Sequence, residues 1–192
     1  MPSHDTAEKI LDIAERLVQA KGFNGFSYAD IAEKLKITKA SLHYHFPTKA
    51  ELGQRLIERY HVRFQEALDR IEAGERLASA KLAEYVELYT EVLRRDRLCL
   101  CGVLAADYTT LPKPMREAVC GFFDANEVWL SRVLDAGRQT SDLDFKGPAT
   151  EVARLLVASL EGAMLVARSY GEVARFSSAA ERLLAELSRQ SV

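Results

Sequence analysis

Hydrophobic positions recur every three or four residues along most of this chain, the period of a helix with one buried face. Ile10, Ile13, Ala14, Leu17 and Val18 form such a stripe between Asp5 and Lys21, and Gly22 ends it. Phe23 and Phe26 then bracket a tight connection through Asn24-Gly25. Ser27 has the character of an N-cap, with Asp30 three residues on as its capping-box acid. It opens a short helix whose buried stripe is Ile31, Ala32 and Leu35. After Lys36-Ile37, Thr38 is the next N-cap and predicts a second short helix from Lys39 to Phe46, which Pro47 stops. Thr48-Lys49-Ala50-Glu51 is a further capping box, opening a long helix to about Ala73 or Gly74.

Five more helices are predicted, at about 78–95, 99–110, 113–137, 148–170 and 177–189. Breakers separate them at Arg95-Asp96, at Leu111-Pro112, from Gly137 to Gly147-Pro148, and around Gly171. Pro148 suits a first helical position, and Ser178 with Glu181 suggests the cap of the last helix. The pattern predicts an all-α fold of about nine helices. It divides into a three-helix head, residues 1–52, and a helical body, residues 53–192. The boundary lies within the long fourth helix, so no flexible linker is expected.

Composition narrows the class. With 48% hydrophobic and 28% charged residues the chain reads as an ordinary globular protein rather than a disordered one. No apolar run approaches the ~20 residues a membrane span needs, and no secretion signal is seen at the start. Three cysteines, Cys99, Cys101 and Cys120, are an odd number, so a reducing cytoplasm is expected rather than a disulfide framework. The net charge of −2 excludes a globally basic protein, yet Lys34, Lys36, Lys39 and Lys49 lie in a stretch, 34–50, without Asp or Glu. A local basic face on a mildly acidic protein suits a nucleic-acid reader with a separate body.

Two short helices after a first, then a long one, make a unit of helix-turn-helix size. In the second short helix Leu42 and Phe46 stand four apart and face the core with Ile37, while Lys39, Ala40, Ser41, His43 and Tyr44 are left for other faces. The stretch Ser27-Tyr28-Ala29-Asp30-Ile31-Ala32-Glu33-Lys34-Leu35, then Ile37-Thr38-Lys39-Ala40-Ser41-Leu42-His43-Tyr44-His45-Phe46, then Lys49-Ala50-Glu51-Leu52, resembles the head of the TetR/AcrR family of transcriptional regulators. More weakly, Leu98-Cys99-Leu100-Cys101-Gly102-Val103-Leu104-Ala105-Ala106 is similar to a segment of that family's N-ethylmaleimide-reductase-repressor subgroup.

The resemblance implies a repressor that binds palindromic, double-stranded operator DNA as a homodimer and is released by a small-molecule effector. By resemblance Lys39, Ala40, Ser41 and His43 face bases, with Thr38 at the start of their helix. Ser27, Tyr28, Tyr44, His45, Thr48 and Lys49 contact phosphates. Elementary chemistry agrees in part: Thr48 and Lys49 put a hydroxyl, N–H groups and an ammonium at a helix N-terminus. The sequence departs from the family at Lys36, where the turn usually has Gly, and at His43, where Tyr is usual. At Lys36 the turn either strains a non-Gly residue towards positive φ or takes another geometry.

In the body, Leu155, Leu156, Ser159, Leu160, Gly162, Ala163, Met164 and Ala167, with Ala180, Leu183, Leu184 and Leu187, mix small and large apolar residues on two helices. As the family resemblance implies, they could pack against their own copies, placing the homodimer interface within about 148–189; the alternative is that they only complete the core of a single chain. Candidates for an effector cavity, carried by the family resemblance, are Tyr85, Tyr89, Cys101, Leu104, Tyr108, Phe122, Phe123, Asn126, Trp129 and Glu161.

No catalytic constellation, cofactor motif or metal-ligand set assembles: Cys99 and Cys101 lack two further ligands nearby, and every His lies in the first third. Two other readings stay open, an all-helical enzyme and a DNA-binding dimer without an effector. Cys99 and Cys101, close in sequence to Arg94, Arg95 and Arg97, are also candidates for a thiol sensor, since positive charge favours the thiolate.

Overall fold

The computed structural model describes residues 2–74 and 77–187, with side chains from Asp5 onward. Among these residues the fold is all-α, with nine helices. They are α1 (Pro2–Lys21), α2 (Tyr28–Leu35), α3 (Lys39–His45), α4 (Lys49–Ala73), α5 (Ala78–Arg94), α6 (Leu100–Ala106), α7 (Lys113–Gln139), α8 (Ala149–Tyr170) and α9 (Val173–Ala185). A 3-10 turn, Tyr108–Thr110, follows α6. No described helix is long and apolar enough to cross a membrane.

The packing does not divide at residue 52. One compact unit comprises Met1–Arg63 with Cys99–Gly121, and the other Phe64–Leu98 with Phe122–Val192. In the first, the α6 segment joins the three-helix head because it packs on α1. Phe23 N–H donates to Asp107 Oδ2 at 2.8 Å, and Asn24 Nδ2 to Thr110 Oγ1 at 2.8 Å. The acids Glu8, Asp12 and Glu15 of α1 share one helical face and converge on Arg59 of α4 at 3.0, 2.9 and 2.8 Å. In the second unit α8 packs on α9, and both pack on α5. There Asp142 caps α5, accepting from Ser79 N at 2.7 Å and from its hydroxyl at 3.0 Å.

The helix starts follow the caps. Ser27 gives both its backbone N–H and its hydroxyl to Asp30 Oδ2 at 2.7 Å, and these hydrogen bonds hold the Asp30 carboxyl below the usual carboxylate range. Thr38 Oγ1 accepts from Ser41 N at 3.1 Å, and Thr48 Oγ1 from Glu51 N at 3.1 Å.

Several helix limits differ from the periodicity; Pro148, expected at the first helical position, is instead the N-cap of α8. The α6 helix ends at Ala106 and tightens into the 3-10 turn, with Cys99 as N-cap rather than first residue. The α7 helix runs through Gly137 to Gln139. A Cβ at Gly137 would lie 2.6–2.7 Å from Leu143 and Ala78, so this glycine permits close packing inside a helix instead of ending it. Gly171, at φ 68°, closes α8, and α9 restarts at Val173 behind Glu172. Ser178 is therefore inside α9, not its cap; the buried Phe176 and Ala180 set the phase of that helix. Residues 188 and 189 of the expected last helix lie outside the described residues.

Lys36 adopts the left-handed conformation, φ 54° and ψ 41°, that its place in the turn requires. The following N–H, of Ile37, returns to Ala32 O at 3.1 Å, which ends α2 and aims the chain into α3. Lys36→Gly should relieve the side-chain clash of this conformation, partly offset by greater unfolded-state entropy. A net gain of up to about 1 kcal/mol is expected in urea unfolding.

Candidate nucleic-acid interface

The α3 helix is anchored on one side and open on the other. Leu42 and Phe46 are buried, and the Tyr28 hydroxyl donates to Phe46 O at 2.8 Å, tying α2 to the end of α3. Lys39, Ala40, His43 and Tyr44 are exposed, Tyr44 to 79%, while Ser41 and His45 are half-buried. Thr38, Ser27 and Thr48, each a cap, are also exposed. A groove of about 460 Å³ is lined by Phe26, Ser27, Tyr28, Ala29, Lys39, His43 and Lys49. The His43 ring packs on Tyr28, centroids 4.8 Å apart, and its Nδ1 lies 3.1 Å from Pro47 O. Ala29 and the Pro47 carbonyl were not among the residues singled out in the sequence. Ala29 has no polar group to draw attention, and a carbonyl carries no side-chain signal.

Two of the expected phosphate contacts are turned inward. Tyr28 is buried, and its phenol is pushed up to about 12 by desolvation and then by the Glu51 carboxylate. Its hydroxyl proton is committed to Phe46 O. The Lys49 ammonium donates to Phe23 O and Phe26 O, each at 2.5 Å, and sits over both rings, 4.7 and 4.1 Å from the centroids. Burial pushes Lys49 below the ordinary lysine value, opposed by the Asp30 and Asp107 carboxylates. Its carbonyl partners explain the orientation: the loop between α1 and α2 leaves two backbone acceptors that only a nearby donor satisfies.

The ten effector candidates do not lie in one unit. Cys101, Leu104 and Tyr108 belong to the unit of the head, where Cys101 and Leu104 are buried and the exposed Tyr108 stacks under Arg116. The other seven belong to the second unit. There Tyr85 stacks on Trp129, and its hydroxyl pairs with Tyr89 Oη at 3.0 Å and Asn126 Oδ1 at 2.9 Å. Asn126 Nδ2 donates to Phe122 O at 2.8 Å. Phe123 packs edge-on against Phe122, and Glu161 is half-buried. Phe64 meets Tyr85, Tyr89 and Phe122 edge-on, a partner missed because it lies in the long α4 stripe. The indole N–H of Trp129 is buried and has no hydrogen-bond partner among the described residues. Two hollows of this unit take their lining from elsewhere. One, about 200 Å³, is lined by Leu77, Lys81, Arg132 and Thr140 among others, and one of about 450 Å³ by Arg70, Glu84, Glu87 and Glu91 among others.

Cys99 and Cys101 are both buried, the first 3.7 Å from the Tyr60 hydroxyl, and only Cys120 of the three is exposed. Arg94 and Arg95 are paired with Glu87 and Glu91 of their own helix. No group of His, Cys, Asp and Glu able to hold a metal ion occurs among the described residues.

This arrangement has known counterparts. A family model described as bacterial regulatory proteins, tetR family, matches residues 10–56, and one described as tetracyclin repressor-like, C-terminal domain, matches residues 78–183. The chain belongs to the TetR family. It is 27% identical over 169 residues to the HTH-type transcriptional repressor NemR of Escherichia coli K12, covering 86% of this chain and 85% of that protein. It is 29% identical over 172 residues to the HTH-type transcriptional regulator LmrA of Bacillus subtilis, covering 84% and 86%. A solved TetR-family regulator from Agrobacterium tumefaciens has a TM-score of 0.94 at 29% identity, over 97% of this chain and 99% of that one. The reduced form of Escherichia coli NemR has a TM-score of 0.87 over 98% and 100%; at 24% identity that likeness speaks for the fold. As a TetR-family member the chain is a DNA-binding transcriptional regulator with a helix-turn-helix head.

Within this TetR-family head the inward Lys49 changes what its removal should do. Lys49→Ala leaves two loop carbonyls without their donor, and should cost about 1–3 kcal/mol in urea unfolding. The salt dependence of DNA binding should keep its slope. A slope flatter by about one unit would show that the ammonium turns to a phosphate in the complex.

Proposed function

We propose that the chain is a repressor that binds palindromic operator DNA as a homodimer and releases it when a small molecule binds the body. The observation that carries this reading is the exposed Lys39, Ala40, His43 and Tyr44 face of α3, held in place by buried Leu42 and Phe46 behind it. Lys39 can donate to guanine O6 and N7, and Ala40 can touch a thymine methyl. A reader of one half-site needs a twin for the other. Its site of action is the cytoplasm, where operator DNA lies.

The dimer reading is supported by α8. Leu155, Leu165, Val166 and Tyr170 are large apolar residues exposed on it, between 49% and 59%. A Cβ at Gly162 would meet nothing within 4 Å, which leaves that stripe open to a neighbour. Ala163 and Leu184 are half-buried beside it in the same unit. Effector release is supported by the Trp129 indole N–H, a buried donor that a ligand could satisfy. A DNA-binding dimer without an effector is favoured instead by the close packing of Tyr85, Tyr89, Asn126 and Trp129 on one another. Thermal stabilisation of the dimer by any member of a small-molecule library, coupled to loss of DNA binding, decides between the two.

Selection of bound duplexes from a random pool tests the reader. A two-fold symmetric consensus is expected, with affinity falling steeply as salt rises. Lys39→Ala should relax preference at one base pair per half-site at about 1–3 kcal/mol. An unchanged consensus would place the reading surface elsewhere.

Val166→Glu and Leu155→Glu put charges where the isolated chain already meets water, so folding should survive while the dimer separates. Light scattering should give the mass of one chain, and operator affinity should drop at least tenfold. A variant that remains dimeric would move the interface off α8.

A further inference from the structure

His43 stands in the groove with Ser27, Lys39 and Lys49, and no carboxylate lines that groove. The Ser27 hydroxyl is given to Asp30 and the Lys49 ammonium to loop carbonyls, which leaves Lys39 and the imidazole to meet an anion over the apolar floor of Phe26, Tyr28 and Ala29. The ring is fixed in two ways: it packs on Tyr28, and its Nδ1 is 3.1 Å from Pro47 O. A carbonyl oxygen only accepts, so Nδ1 carries the hydrogen. In the neutral ring Nε2 is then an acceptor, and it cannot bind a phosphate oxygen, which also only accepts. In the imidazolium both nitrogens donate.

We propose that His43 is a phosphate ligand that engages only in its protonated form, so that operator binding takes up a proton from solvent at each reading helix. The inference rests on the reading that this head binds operator DNA, and it moves His43 from base contact to backbone contact. The titratable and charged groups on the elements around the ring include Tyr28, Asp30, Glu33 and Lys34 on α2, Lys39, Tyr44 and His45 on α3, and Lys49 and Glu51 in the first turn of α4. Tyr28 keeps its proton on Phe46 O, Asp30 is held by Ser27, and Lys49 is held by Phe23 O and Phe26 O. Bond formation therefore falls to the ring that still has a free nitrogen. The hydrogen bond, N–H⁺ to a phosphate oxygen, is charge-assisted.

The sign follows from linkage. If the bound state holds one more proton than the free state, affinity is highest at low pH and is lost as pH rises. The experiment measures affinity of the full chain for its selected operator between pH 8 and 6 at constant ionic strength. Wild type should tighten as pH falls, by up to about tenfold per pH unit for each His43 that takes up a proton. His43→Gln should be flat over that window. Titration calorimetry of wild type in two buffers of different ionisation heat should show net proton uptake, a readout that needs no variant. Specific binding with no proton uptake, or an equal slope in His43→Gln, overturns this proposal and leaves the repressor reading intact. Absence of any selected operator overturns both.

Discussion

What the reading helix can offer to DNA depends on where the Lys49 ammonium goes, because that one group decides how α2 leaves α1. The loop through residues 22–27 must turn sharply between two buried rings, and its carbonyls at Phe23 and Phe26 are left inside the head. Lys49 satisfies both, with its charge over the two ring faces. From the opposite side Asp107 takes the Phe23 N–H, and a Cβ at Gly22 would come within 3.2 Å of the same carboxylate oxygen. Gly53, one turn after Lys49, must be equally bare, since Met115 and the Phe23 ring occupy the space a Cβ would need. The loop is thus clamped between a cation of α4 and an anion after α6. Because α2 starts where this loop ends, and α3 is tied to α2 by the Tyr28–Phe46 hydrogen bond, the clamp fixes the reader.

The parts of this head that the sequence made legible are those with short-range causes. Ser27, Thr38 and Thr48 are caps because a hydroxyl can reach an N–H three residues on, and all three starts are where the caps put them. Lys36 at positive φ follows from the turn itself, where the N–H groups of Lys36 and Ile37 return to the Glu33 and Ala32 carbonyls and close α2. What escaped was set by groups distant in sequence. Nothing near Lys49 says that carbonyls 23 and 26 residues earlier lack donors, and nothing near Gly137 says that Leu143 and Ala78 fill the place of its side chain. The phase of α9 was misread for the same reason: Ser178 resembles a cap locally, but Phe176 and Ala180 are the residues that the neighbouring helices bury.

The effector candidates show the limit of periodicity in another form. An aromatic stripe gives the same spacing whether it lines a cavity or fills one. Tyr85 distinguishes the two cases by its hydroxyl, which is paired to Tyr89 and Asn126 and so makes the cluster a satisfied polar core. Trp129, stacked on Tyr85, breaks that pattern because its N–H is buried without an acceptor among the described residues. A ligand that displaced part of this core would have to replace the Tyr85 hydrogen bonds while gaining that of the indole. Recognition would then rest on a polar group presented among rings rather than on apolar bulk.

Charge accounts for how a chain of net charge −2 can read a polyanion. Cations of the first unit differ in what holds them. Arg59 and Arg63 are taken up by Glu8, Asp12 and Glu15, and Lys49 by backbone carbonyls, so their charges are neutralised or enclosed within the head. Lys34, Lys36 and Lys39 stand exposed on and beside α2 and α3, in a stretch that contains no acid between residues 34 and 50. Of the nearby acids, Asp30 on α2 is held by Ser27, while Glu33 and Glu51 stand just outside this stretch. Counterion release depends on cations that reach phosphates, not on the total. On the proposed reading, the inward pairs shape the head and the outward lysines would supply its attraction for phosphates. His43 stands exposed between them, with one ring nitrogen fixed by the Pro47 carbonyl.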